Sequence, residues 1–173
     1  MENIDPLQQI PRLYHFTDRR NLTLIRQYGG LFSHAELRRR QIVVPAPGGN
    51  QWSLDADQIS GMDGYVHLCF RSNHPMEYLA RQDGRIIDSI FLEIHPSVLQ
   101  VPEVRFSPGV SNRADAEYFA IDQARVMIDF QVLYTRTDWH DAAIQERLRA
   151  AEKAEILIPG HISLNLIRNI PNG

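Results

Sequence analysis

Two short stretches hold the residue types that could do chemistry. LYHFTDRRNL, residues 13 to 22, places His15, Thr17 and Asn21 close together, and KAEILIP, residues 153 to 159, sets Glu155 where a charged, helix-forming run gives way to an apolar one. A carboxylate held at the mouth of a strand can stabilise a developing positive charge or take a proton, because a rigid strand end keeps it in place. The competing reading of Glu155 is a solvated strand end paired with a nearby Arg or Lys, since charged side chains are seldom buried alone. Read singly, a histidine such as His15 is more often a hydrogen-bonded interior residue, and Asn21 more often a helix-surface one.

Other constellations are weaker. His67 and Cys69 stand two apart on a strand-like stretch and so share a face, with His74 nearby in sequence. Three such ligands can hold zinc, but structural zinc sites use four, at CxxC or HxxxH-like spacing, and no such spacing is present. The other reading makes Cys69 a small buried hydrophobe and His67 a hydrogen-bonded partner. We therefore expect no metal. A Cys–His nucleophile pair lacks a third, orienting group, and no GxSxG turn announces a serine nucleophile. Gly48-Gly49 lacks the spacing of a phosphate loop and reads as turn.

The elements that must position these residues follow from periodicity and punctuation. Leu13 to Phe16 reads as a strand. Leu22, Ile25 and Tyr28 then recur at helical spacing up to Gly29-Gly30, a C-terminal stop. Ser33 and Glu36 have capping-box spacing for a short helix to about Arg40, and VVPAPGGNQWS (43–53) reads as loop. Tyr65 to Phe70 is strand-like, and Pro75 opens a helix carrying Met76, Leu79 and Ala80 on one face. The apolar run at 86–94 reads as a central strand, 106–115 as loop, FQVLY (130–134) as strand and 140–153 as helix. Glu155 to Ile158 is the strand that follows, and LNLIRNI closes the domain. Strands and helices do not alternate strictly, which predicts an α+β fold rather than a doubly wound sheet.

Composition bounds the function. With 173 residues and 43% apolar content, one domain over 1–173 can bury a core without staples. A net charge of −3 excludes a general polyanion binder, so nucleic-acid contact must come from a local basic patch such as Arg38, Arg39 and Arg40. The single cysteine, Cys69, rules out an internal disulfide and fits a reducing compartment. The N-terminus lacks a basic region followed by an apolar one, and no apolar run approaches the roughly 20 residues that span a bilayer. These features predict a soluble, unprocessed protein of the cytoplasm.

Taken together, YHFTDRRNLTLIRQYGGLFSH (14–34), GYVHLCFRSNHPMEY (64–78), and DW (138–139) followed by RAAEKAEILIP (149–159) resemble the DarT family of DNA ADP-ribosyltransferases. The resemblance runs through most of the chain in order. It implies a small split β-sheet ADP-ribosyltransferase core with flanking helices, NAD+ as ADP-ribose donor, and a base in single-stranded DNA as acceptor. His15 matches the family's Y-H-x-T histidine, which lies against the adenosine portion of NAD+, and Thr17 and Asn21 match adjacent cofactor positions. Met76 falls on the x-P-M-x-Y methionine at the nicotinamide side, and Glu155 on the catalytic carboxylate. Arg39 is the match for the family's arginine, with Arg38 and Arg40 beside it.

Two departures from the thymidine-modifying branch, the inserted NQWSLDADQI and the wording VHLCF and HPM, favour guanine over thymine as acceptor. Stacking aromatics such as Trp52 or Tyr118 would help to grip the DNA. The resemblance also implies a monomeric toxin and an antitoxin that removes ADP-ribose, a macrodomain or similar. Alternatives are a transferase acting on RNA or protein, and a non-catalytic NAD- or nucleic-acid-binding relative.

Overall fold

The computed structural model of the protein describes residues 5–171; the ends of the expected 1–173 domain, residues 1–4 and 172–173, lie outside the described residues. The chain runs through β1 (Leu13–Asp18), α1 (Leu22–Tyr28), β2 (Gly30–Phe32), α2 (His34–Arg39) and α3 (Gln51–Ser60). It continues through β3 (Tyr65–Cys69), α4 (Pro75–Gln82), β4 (Ser89–Ile94), β5 (Arg105–Ser107) and α5 (Ile121–Met127). Then come α6 (Phe130–Tyr134), α7 (Ala142–Ala151), β6 (Glu155–Pro159) and β7 (His161–Ser163). Five strands form one sheet in the order β4-β1-β3-β6-β5, and β2 pairs with β7 in a second, two-stranded sheet. All neighbours are antiparallel, so the α+β expectation holds.

Alternation along the strands builds the core. Val66 and Leu68 of β3, Ile156 and Ile158 of β6, Phe106 of β5, and Leu92 and Ile94 of β4 are buried together. Ala124, Phe130, Val132, Leu133 and Leu148 of α5, α6 and α7 belong to the same cluster. The other residues of β3 and β6, among them His67, Cys69 and Glu155, face the opposite way and are left for other work.

The sheet is divided between β1 and β3. Every residue of β1 pairs with β4, from Leu13 opposite Ile94 to Asp18 opposite Ser89, and every residue of β3 pairs with β6. Between the two halves there is one rung, Tyr14 opposite Cys69. The Cys69 thiol reinforces it by donating to the Tyr14 carbonyl at 3.5 Å. Beyond that rung the ladder stops, and the His15 ring bonds the His67 carbonyl at 3.0 Å, satisfying a group that the missing ladder would orphan. The far end of β1 is tied instead to the opposite flank. Buried Asp18 accepts from the backbone N–H of Ile87 at 2.8 Å and Asp88 at 3.2 Å and pairs with Arg20, which holds its carboxyl well below the usual range.

Several sequence expectations need correction. FQVLY is the helix α6, because Asp129 caps it by accepting from Val132 N–H, and Phe130 and Leu133 meet the core at helical spacing. A short apolar run does not by itself distinguish strand from buried helix. β4 is an edge strand rather than a central one. Its outer side is covered by the C-terminal segment, where Arg168 N–H donates to Glu93 O at 2.9 Å and the Asn169 side chain accepts from Glu93 N–H at 2.6 Å. The expected 43–53 loop ends early, since Asn50 caps α3 by accepting from Ser53 N–H, and Phe106 and Ser107 belong to β5.

The β2–β7 ribbon closes the other side of the split. Gly29 ends α1 in the left-handed conformation (φ 82°), and Gly30 follows at φ 151° with its α-carbon against the Ile162 carbonyl. A β-carbon at Gly30 would be driven into that backbone oxygen. Gly30→Ala should therefore destabilise the protein by about 2 to 4 kcal/mol, read as a lowered denaturant midpoint. A midpoint unchanged from the parent would show that this close approach does not constrain the fold.

Candidate active site

A cleft of about 470 Å³ opens at the split and is lined by His15, Thr17, Asn21, Arg38, Asp57, His67, Met76, Ser111 and Glu155 among others. β1 supplies His15 and Thr17, β3 supplies His67, and Glu155 is the first residue of β6, opposite Cys69 on one side and Ser107 on the other. The local cause is register: Glu155 begins the strand on the face away from the core, level with Cys69 and the single Tyr14–Cys69 rung, whereas Ile156 and Ile158 point into the core.

Glu155 is 5% exposed and surrounded by donors. One oxygen accepts from the Ser111 hydroxyl and from Ser111 N–H at 3.3 Å, and lies 3.3 Å from His67 Nδ1. Its other oxygen is 3.4 Å from His74 Nε2, a charge contact without hydrogen-bond geometry. The His67 ring meets acceptors at both nitrogens: Nε2 faces the Met62 carbonyl at 3.3 Å, and Nδ1 faces Glu155 and the Ser111 oxygen, the latter at 3.0 Å. Only the doubly protonated ring donates at both ends, so His67 is an imidazolium. Burial works against that charge, but the Glu155 bond and the Glu155 and Asp57 carboxylates outweigh it and raise the His67 pKa to about 9. For Glu155 burial likewise opposes ionisation, and His67, His74 and Ser111 reverse it, holding the carboxyl below its ordinary value.

Burial disfavours the charged form of two further histidines near Glu155 and His67, namely His15 and His74. His15 Nδ1 faces a carbonyl, so that nitrogen carries the proton and Nε2 is free to accept; burial pushes its pKa down. His74 caps α4, its Nδ1 accepting from Met76 N–H at 3.3 Å, and burial pushes it down as well. The same cap fixes Met76 at the helix start, facing the cleft.

The structure brings five of the six sequence-derived site residues to this cleft: His15, Thr17, Asn21, Met76 and Glu155. Asn21 spends its amide on the protein itself, donating to Ala46 O at 2.7 Å and Thr17 Oγ1 at 3.0 Å and accepting from Ala46 N–H at 2.9 Å. It thus pins the 46–49 wall to β1 and leaves the Thr17 hydroxyl proton to point elsewhere. Arg39 does not line the cleft; its side chain is 67% exposed and pairs with Glu36. Arg38 does line it, held by Asp63 and Gln58. Of the two aromatics expected to stack, Trp52 is 64% exposed on α3, and the Tyr118 hydroxyl donates to Ser111 O at 2.7 Å, bracing that loop.

Three members were not reached from sequence as parts of one site. His67 and His74, whose sequence spacing suggests at most a weak zinc site, both approach Glu155, and Ser111 sits in a Pro-Gly loop whose spacing carries no signal. Among the described residues no group of His, Cys, Asp or Glu is arranged to hold a metal ion, and no helix is long and apolar enough to cross a membrane.

Residues 14–171 match the family model described as "ssDNA thymidine ADP-ribosyltransferase, DarT". The chain belongs to the DarT family, NAD+-dependent ADP-ribosyltransferases of single-stranded DNA. No curated protein matches the sequence significantly. Among solved structures, DarT from Thermus sp. 2.9 in complex with NAD+ superposes with a TM-score of 0.59 at 21% identity, over 91% of this chain and 79% of that one. The same Thermus DarT in complex with ADP-ribosylated single-stranded DNA gives 0.59 at 20% identity, over 92% and 79%. Thermosipho africanus DarTG in complex with ADP-ribose gives 0.62 at 16% identity, over 90% of this chain and 42% of that one. At these identities the likeness shows that the DarT fold is shared.

The His67–Glu155 pair makes stability depend on pH in a defined direction. His67 binds its proton more tightly folded than unfolded, so its contribution is complete below the unfolded pKa of about 6.5 and is lost as pH rises toward 9. Denaturant unfolding should show a loss on the order of 1 to 3 kcal/mol across that window. His67→Gln should flatten the slope; an unchanged slope in that variant would assign the dependence to another group.

Proposed function

We propose that the protein transfers ADP-ribose from NAD+ to a base in single-stranded DNA, with Glu155 as the catalytic carboxylate. The observation that carries this reading is an ionised, buried Glu155 at the floor of the cleft formed where the sheet splits. In the reaction the glycosidic bond between the nicotinamide nitrogen and the ribose C1 breaks, and neutral nicotinamide leaves with the bonding electron pair. The ribose becomes oxocarbenium-like, and a fixed carboxylate beside it stabilises that charge. A base nitrogen then forms the new bond to C1 with its lone pair, and its proton passes to Glu155 and on to water.

The His67 imidazolium and Ser111 keep Glu155 ionised until substrate arrives, and both also restrain it. His15, Thr17 and Met76 are assigned to NAD+ binding, and Arg38 rather than Arg39 to the pyrophosphate, because Arg38 reaches the cleft and a guanidinium suits a diphosphate. Single-stranded DNA suits such a site, since its bases need no extraction from a duplex.

For the acceptor we propose guanine, on the VHLCF strand and the inserted 50–59 stretch; thymine is the second reading, favoured by the family description. An enzyme that modifies DNA bases harms its host unopposed, so we also infer an antitoxin that removes ADP-ribose, and action as a cytoplasmic monomer.

Glu155→Gln and Glu155→Ala should slow DNA modification by on the order of 10² to 10³-fold or more, read by mass spectrometry of oligonucleotides incubated with NAD+. Turnover within threefold of wild type would remove Glu155 from the chemistry. Arg38→Ala should raise KM for NAD+ by roughly tenfold or more, while Arg39→Ala leaves it nearly unchanged. The reverse order would return the pyrophosphate to Arg39.

A further inference from the structure

The loop between β5 and α5 carries Ser111, whose N–H and hydroxyl both reach the same oxygen of Glu155. A backbone donor is placed by the path of its chain, so it stays on target only while the loop is held still. Loops move more readily than the elements they join unless something rigid fastens them. At its root this loop is closed by Phe106 and Phe119, which exchange both backbone hydrogen bonds at 2.8 Å. The Tyr118 hydroxyl bond to Ser111 O shapes it from inside. Its tie to a separate element is made one residue beyond Ser111. There the Asn112 amide donates to the Ser53 hydroxyl at 2.9 Å, with both residues buried, 7% and 6% exposed. Ser53 is itself fixed in the first turn of α3, where the Asn50 cap accepts from its N–H at 2.8 Å. Removing either partner of such a buried bond leaves the other unsatisfied, out of reach of water.

We propose that Asn112 is a positioning residue for the transfer: by bonding Ser53 it keeps the Ser111 N–H and hydroxyl on Glu155. The inference rests on the reading of Glu155 as the catalytic carboxylate and deepens it. Asn112 acts through Ser111 and takes no part in the bonds that break and form. Without it the loop loses its tie to α3, and the buried carboxylate keeps only the histidine side of its surroundings, His67 at one oxygen and His74 near the other. A carboxylate restrained on one side only is free to shift, and a misplacement of about 1 Å can cost on the order of 10²-fold in rate. The same bond gives α3 a task in the site, since the helix anchors the loop that serves the acid.

The test uses the whole protein with NAD+ and single-stranded oligonucleotides containing all four bases, comparing wild type with Asn112→Ala, Ser53→Ala and Glu155→Gln. For both Asn112→Ala and Ser53→Ala the expected result is a kcat for DNA modification lowered on the order of tenfold or more, with KM for NAD+ within about twofold of wild type. Amide hydrogen exchange followed by NMR supplies the local readout. The Ser111 N–H should exchange on the order of tenfold faster in each variant, while the amides of β6, paired on both sides, keep their wild-type protection. Acceleration of the β6 amides to the same degree would make the Asn112–Ser53 bond a general support of the fold and overturn the positioning role. A raised KM for NAD+ would place these side chains against the donor instead, which also overturns it. So would an unchanged kcat, or unchanged Ser111 exchange, in either variant. A fully active Glu155→Gln would sink the reading on which the inference stands, whereas an inactive Glu155→Gln beside unaltered Asn112 and Ser53 variants would remove the inference alone.

Discussion

Between β1 and β3 the main sheet is held by a single rung, Tyr14 opposite Cys69, and most of what is distinctive about the molecule follows from that economy. A full ladder there would have joined five strands into one continuous surface with no room for a substrate. With one rung the two halves part, and the freed backbone must be satisfied by side chains. His15 does this on the inside of the split by bonding the His67 carbonyl, while Asp18 ties the far end of β1 to the Ile87 and Asp88 N–H groups on the β4 side. The opening is a consequence of where pairing stops, and the pairing on each side keeps it rigid.

The second consequence is electrostatic. An ionised carboxylate taken out of water is costly unless paired and hydrogen-bonded, and Glu155 is served by His67, by the Ser111 hydroxyl and by the Ser111 backbone. Those donors come from β3 and from the loop after β5, the two strands flanking β6, so the sheet that positions the acid also positions its counter-charge. Asp57 then gives the imidazolium a second negative neighbour, supplied by a helix outside the sheet. Charge is thus balanced across three separately placed elements, with His67 of β3 between the carboxylates of β6 and α3.

How much of this was legible in the chain depends on the range of the signal. The alternation of β3 and β6, the Gly29 stop and the Pro75 start are local, and the structure has them where the periodicity puts them. Local signals failed where two outcomes share one pattern, as in FQVLY, and where edge or centre depends on a partner far along the chain, as in β4. Among site residues, His15 and Glu155 stood out because a polar group interrupts an apolar strand. Ser111 and Asp57 carry no such mark: one lies in a loop, the other in an ordinary polar helix, and only tertiary contact gives either a meaning. The three consecutive arginines were legible as a patch, but which of them turns inward is decided by Asp63 and Gln58, whose positions depend on α3.

The same rung that divides the sheet also decides the fate of the protein's one cysteine. Cys69 sits opposite Glu155 in register, buried, with its thiol engaged by the Tyr14 and Arg71 carbonyls. Burial first, and then the nearby Glu155 charge, push that thiol well above its ordinary range, so the thiolate that oxidants and alkylating reagents attack does not form. A sulfur placed one strand away from the carboxylate would ordinarily be a point of oxidative vulnerability. Here burial, helped by the negative charge that serves the chemistry, holds the neighbouring sulfur in its less reactive thiol form.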